Sequence, residues 1–263
     1  MSINLTAFVP HPPLIITEIG GDNITQVANT IRALEKLNEL IYQLSIETLI
    51  VFANQNDLID NAFGINHASS LTADFATFGD ITKYSPYKND IELSYQIREY
   101  LETRQSVVLY SDEKLHYSVG IPLFYLLKNL PNTKVIPINN SQLNYERHWQ
   151  FGNQIKDCCI NSNKRIGIIA SGNLSHCLTE DAPGGLSIRG KEFDNFVIDN
   201  LKKKNISRLL DIDQQLIAEA KPSGYRTLIT LLGVLKNTQF ETEILSYEYP
   251  LGIGYLTANF KLQ

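Results

Sequence analysis

Apolar residues in this chain fall into two patterns. Residues 5–9 (LTAFV), 48–53 (TLIVFA), 106–110 (SVVLY), 134–138 (KVIPI) and 165–170 (RIGIIA) are short runs with few polar interruptions. Their length and β-branched content predict strands, several of them buried on both faces. Between them the spacing changes. Ile24, Val27, Ala28, Ile31, Leu34, Leu37, Ile41 and Leu44 repeat every 3.6 residues, with Arg32, Glu35, Lys36 and Glu39 on the opposite side. That predicts an amphipathic helix opened by Gly20-Gly21-Asp22. Further helices are predicted over 90–101, 119–130 (with Pro122 in its first turn, where proline is tolerated), 145–160, 187–203, 206–220 and 225–235. Two closing strands, 242–247 and 254–260, predict an antiparallel hairpin around Pro250 and Gly252. Residues 61–85, rich in Phe, Thr and Asp, read as an irregular excursion long enough to wall a pocket. Alternating β and α elements predict an α/β fold: a single three-layer α/β/α domain with a mixed central sheet, spanning 1–263 without an internal linker or repeat.

In open α/β sheets, ligands bind beyond the carboxyl ends of the strands, so the residues that follow each run carry the candidate chemistry. The strand at 165–170 breaks off at Ser171-Gly172-Asn173 and presents His176 five residues on. Imidazole suits proton transfer near neutrality, and His176 is the candidate acid–base group. The first strand ends in Pro10-His11-Pro12-Pro13, where the prolines hold the backbone extended. Such stiffness suits a metal ligand and equally an ordinary proline turn. The second strand ends in Asn54-Gln55-Asn56-Asp57, another polar cluster.

Composition narrows the class. A net charge of −5 argues against a nucleic-acid partner, and the basic run Lys202-Lys203-Lys204 reads as a solvated helix end. No apolar stretch is long enough for a membrane span, and the first residues lack the features of a signal peptide. Three cysteines, two of them adjacent (Cys158 and Cys159), make a poor disulfide framework. A cytoplasmic location is expected.

Several stretches together resemble the class III extradiol ring-cleavage dioxygenase β-subunit (LigB-like) family, to which Memo proteins are related. They are FVPHPPLI (8–15), DFATFGD (74–80), VGIPLFYL (119–126), ASGNLSHCLTEDAPGG (170–185), SGYRTLITLLGVL (223–235) and YPLGIGYL (249–256). They occur in family order from the first strand to the last. The resemblance implies non-haem Fe(II), held by two His and one carboxylate and opening catechol-type aromatic rings, with a further His as acid–base. Such a ligand face leaves open positions for substrate and oxygen. Carried over residue by residue, the first metal ligand is His11 and the acid–base group His176. The other two ligand positions read Gln55 and Pro222, and a substrate-side His position reads Tyr117. An amide and a proline cannot replace an imidazole and a carboxylate on ferrous iron. The expectation is therefore lost or altered metal binding, with another divalent metal or replacement ligands from His116, Asp57 or Glu219 as alternatives. His116, Asn173 and Arg226 join Tyr117 as substrate-pocket candidates.

The resemblance allows two functions: a ring-opening enzyme acting on a small aromatic substrate, or a non-catalytic module. The module would be a ligand binder, or a subunit that forms homo-oligomers or pairs with a metal-competent paralogue. Other residues read as structural. His67 is expected on a surface loop, His148 inside a helix, and Cys158 and Cys159 as core fillers. Cys177, beside His176, points away from it in an extended segment and is discounted as a nucleophile. Glu180 and Asp181 either orient His176 or cap the next turn.

Overall fold

The computed structural model describes residues 2–54 and 59–263. In chain order it contains β1 (Ile3–Val9), α1 (Thr17–Gly20), α2 (Ala28–Gln43), β2 (Thr48–Ala53), β3 (Phe63–Asn66), β4 (Ser70–Ala73), β5 (Tyr87–Lys88) and α3 (Ile91–Leu101). These are followed by β6 (Val107–Tyr110), β7 (Lys114–Leu115), α4 (Tyr117–Leu126), β8 (Lys134–Asn139), α5 (Tyr145–Ile160) and β9 (Ile166–Ser171). The chain closes with α6 (Ile188–Lys202), α7 (Ile206–Leu210), α8 (Gln214–Ala220), α9 (Tyr225–Val234), β10 (Phe240–Glu248) and β11 (Tyr255–Leu262).

The architecture is the expected three-layer α/β/α one. Eight strands form a mixed sheet in the order β10-β11-β1-β9-β2-β8-β3-β6. Side chains along its central strands alternate between two cores, as a sheet covered on both faces requires. Phe8, Ile50, Phe52, Ile166 and Ile168 pack beneath α3, α5, α6 and α9. Leu5, Ala7, Val9, Leu49, Val51 and Ile169 pack beneath α2 and α4.

β1, β9, β2 and β8 run parallel, and their register aligns their carboxyl ends: Val9 pairs with Ser171, Phe52 with Ala170 and Ala53 with Asn139. The loops that follow are therefore delivered to one edge. Two of them meet backbone to backbone. A Cβ on Gly172 would lie 2.1 Å from Gly224 Cα, and one on Gly224 would lie 2.6 Å from the Gly172 carbonyl carbon. Hydrogen bonds extend this junction. Gly224 N–H donates to the Asn173 carbonyl (2.8 Å) and Asn173 N–H to Ser223 Oγ (3.1 Å). Asn173 Oδ1 accepts from His11 N–H (3.1 Å). The Asn54 side-chain amide donates to the Ser223 carbonyl, and Asn140 Nδ2 donates to Asn54 Oδ1 at 3.2 Å.

Four local expectations are corrected. Residues 61–85 are not wholly irregular: β3 joins the main sheet, antiparallel to β8 and parallel to β6. β4 pairs with β5 and β7 in a separate three-stranded sheet. The helix predicted over 206–220 is two, because Asp213 accepts from Gln215 N–H and starts α8 anew. A 3-10 segment, Gly21–Val27, precedes α2. Finally, α4 starts at Tyr117, so Pro122 lies beyond its first turn. The closing hairpin is antiparallel with a 3-10 turn at Pro250–Gly252, as expected.

His148 is structural, as read from its helix. It is fully buried, its Nε2–H donates to the Ser141 carbonyl (3.1 Å), and its ring meets Phe63 edge to face at 5.0 Å. Burial, assisted by the nearby Arg226 charge, pushes its pKa down to about 4. The unfolded chain therefore binds a proton here between about pH 6.5 and 4 that the folded chain refuses, and stability falls with pH across that window. Between pH 7 and 4.5 the native protein should lose about 2–3 kcal/mol more unfolding free energy than His148→Gln loses, as read by urea titration at each pH. Equal losses would contradict this. Gly172→Ala forces two backbones apart and should lower stability by about 1–3 kcal/mol, seen as a lower Tm. An unchanged Tm would show that the junction is loose.

Candidate active site

The SGN loop after β9 is held from behind. Ser175 N–H donates to Asp194 Oδ1 (2.8 Å), Ser175 Oγ donates to the Ala220 carbonyl (3.0 Å), and His176 N–H donates to the same carbonyl (2.9 Å). Asp194, on α6 and fully buried, also accepts from the Tyr247 hydroxyl at 2.7 Å. Burial pushes its pKa up to about 6 against these hydrogen bonds. Glu180 and Asp181 are exposed, so the carboxylate behind the His176 loop is Asp194. The sequence signal for it is its place on the apolar stripe of α6, between Gly190 and Val197.

His11 is 5% exposed, with Nδ1 3.0 Å from Ser171 Oγ. Its ring meets the Tyr117 ring edge to face at 5.6 Å, and Tyr117 in turn lies 4.2 Å from the His116 ring. Burial, with the nearby His176 and His116 imidazoles adding to it, pushes the His11 pKa down to about 3. Burial also lowers His176, opposed by the carbonyls of Lys221 and Leu174. The structure thus brings His116 and His176 within electrostatic reach of His11, with His11 and His176 held toward the neutral form. His116 opens α4: its Nδ1 lies 2.7 Å from Ser118 Oγ, which donates to the Asn54 carbonyl at 3.0 Å.

His116 and Tyr117 also line a cavity of about 680 Å³, whose lining includes neither His11 nor His176. Tyr117 and His116 form one wall, Phe78 and Thr77 another, and Tyr110, Ile59 and Leu115 contribute further apolar surface. Asp74, Asp112, Lys114 and Asn139 supply the polar lining, with Lys114 Nζ 2.7 Å from Asp74 Oδ2. The 61–85 excursion does wall a pocket, through Asp74, Thr77 and Phe78. Tyr110, Asp112, Lys114 and Asn139 carried no sequence signal beyond lying at or after strand ends.

Other candidates stand elsewhere. Asn173 is a scaffold residue that receives the His11 amide and does not line the cavity. Arg226 does not line it either; its guanidinium stands 5.7 Å from the Tyr145 ring, near His148. Glu219 accepts from Gln215 along α8, and His67 Nδ1 lies 2.9 Å from Ser94 Oγ. Cys177 is buried and its thiol pKa is pushed up, and burial raises Cys158 to about 11.

A ferrous ion needs several anionic or imidazole donors in one place. Among the described residues, no three His, Cys, Asp or Glu side chains group to hold a metal ion. Pro222 offers no side-chain donor, and Gln55 and Asp57 lie outside the described residues. The described donors therefore do not fit the two-His, one-carboxylate face. Among the described residues, no helix is long and apolar enough to cross a membrane.

Comparison with known proteins agrees with this fold. The chain is 28% identical to Protein CA_C1420 of Clostridium acetobutylicum over 97% of its own length, and spans 57% of that longer protein. The crystal structure of the uncharacterized Escherichia coli K12 protein JW3007 superposes with a TM-score of 0.70 at 17% identity, covering 97% of this chain and 99% of that one. Residues 5–258 match the family described as the catalytic LigB subunit of aromatic ring-opening dioxygenase. The chain belongs to the LigB family of aromatic ring-opening dioxygenase subunits.

Proposed function

We propose that this LigB family member binds a small hydroxylated aromatic molecule in the Tyr117 cavity, and that the family's ferrous ring-opening chemistry is lost or altered in it. One observation carries the reading: a cavity of about 680 Å³ is walled by Phe78, Tyr110, Tyr117 and His116, and the Tyr117 ring also meets the ring of buried His11, an imidazole held toward the neutral form. Aromatic walls favour a planar ring by edge and face contact. A neutral imidazole has a lone pair to accept a phenolic proton, whereas a charged one has none. His176, at the family's acid–base position, is the group we assign to that acceptance, from a ring that reaches past Tyr117, which stands between the cavity and His11.

The metal side of the proposal rests on donor chemistry. His11 retains its family position, but proline stands at the carboxylate position, and an amide side chain at Gln55 binds ferrous iron weakly. Losses outside the metal shell already cost about 10–100-fold in affinity, and losses within it cost more.

Calorimetric titration of chelator-treated protein with catechol and hydroxybenzoates tests the reading. Binding without added metal is expected, and Tyr117→Ala should weaken it about tenfold, equivalent to ~1.4 kcal/mol. Binding that appears only after Fe(II) is added, or that Tyr117→Ala leaves untouched, would overturn the proposal.

A further inference from the structure

We propose that Pro122 and Ser171 together set the tautomer of His11, placing the ring proton on Nδ1 and the lone pair on Nε2. The argument begins in α4. In a regular helix the amide of residue 122 would donate to the carbonyl of Ser118, four residues earlier. Proline has no amide hydrogen, so that carbonyl is left to find another donor, as buried carbonyls do. It finds Ser171 Oγ, at 2.5 Å, reaching across from the end of β9. Ser118 and Ser171 are both buried, with at most 1% exposure, so water does not compete easily for either.

A serine hydroxyl has one proton to give. Ser171 commits it to the Ser118 carbonyl, and therefore faces His11 Nδ1, 3.0 Å away, as an acceptor. A hydrogen bond then forms only if Nδ1 carries the hydrogen. The opposite polarity would have Ser171 donate to Nδ1, stripping the Ser118 carbonyl of this donor as well as its helical one. Leaving a buried acceptor unsatisfied is the costlier arrangement. The His11 main chain is fixed too, through its N–H on Asn173 Oδ1.

Pro122 and Ser171 are thus positioning residues that act through His11. That a bound aromatic then lies near His11 rests on the function proposed above; the tautomer does not.

The test is a two-bond proton–nitrogen correlation spectrum of the full chain labelled with ¹⁵N-histidine, metal-free and without ligand at pH 7. His11→Gln identifies the His11 signals among the five histidines. In the native protein, Nδ1 should have the shift of a protonated nitrogen and Nε2 that of a bare one. Ser171→Ala removes the acceptor and should move the proton to Nε2. Pro122→Ala returns an amide hydrogen to the Ser118 carbonyl and frees the Ser171 proton for Nδ1, so the same change should appear with the serine still present. Ser171→Thr keeps the hydroxyl and should keep the native pattern. A native His11 protonated on Nε2 would overturn the proposal without recourse to any variant. So would an Nδ1 proton that survives both Ser171→Ala and Pro122→Ala. Because no ligand is present, a failure of aromatic binding and a failure of this assignment are separate results.

Discussion

The contact of Gly172 with Gly224 is the constraint on which the site depends. Strand register alone places four loops at one edge of the sheet, but does not make them a site. That requires the loop after β9 and the loop before α9 to approach until no side chain fits between them. Once they touch, Asn173 is in place to receive the His11 amide, and Ser223 to receive the Asn54 and Asn173 groups. The Asn54, Asn173 and Ser223 side chains satisfy main-chain groups of these loops here, which is how a buried edge avoids stranded polar groups.

Electrostatics then decide what the edge can do. Imidazoles that share a dry neighbourhood oppose each other's charge. Burial holds His11 and His176 toward the neutral, proton-accepting form, and for His11 the neighbouring imidazoles add to it, an arrangement suited to a phenolic hydroxyl and poor for an anion. Asp194 supports the His176 loop from the far side, and the Asp74–Lys114 pair gives the cavity a polar end.

The sequence makes the central strands legible because runs such as TLIVFA and IGIIA are covered on both faces and tolerate almost no polar residue. The positions of His11 and His176 follow from those strand ends. β3 is different. FGIN is short and contains Gly and Asn, and its place is set by pairing with β8 and β6, which no local pattern encodes. The break between α7 and α8 was hidden by an apolar rhythm that continues through Ile212 while Asp213 restarts the helix. Arg226 begins α9 and so reads as a pocket residue, yet its side chain lies by Tyr145. Asp194 was readable in principle, as a carboxylate on an otherwise apolar helix stripe. The cavity wall at Tyr110, Asp112 and Lys114 was not, since it depends on how the small sheet folds over α4.

The proposed loss of ring-opening chemistry rests on the donor set around His11, and iron content measures that set directly. After anaerobic reconstitution with excess Fe(II) and desalting, the account predicts iron well below one per chain and no further fall in His11→Ala. One iron per chain, lost in His11→Ala, would contradict it.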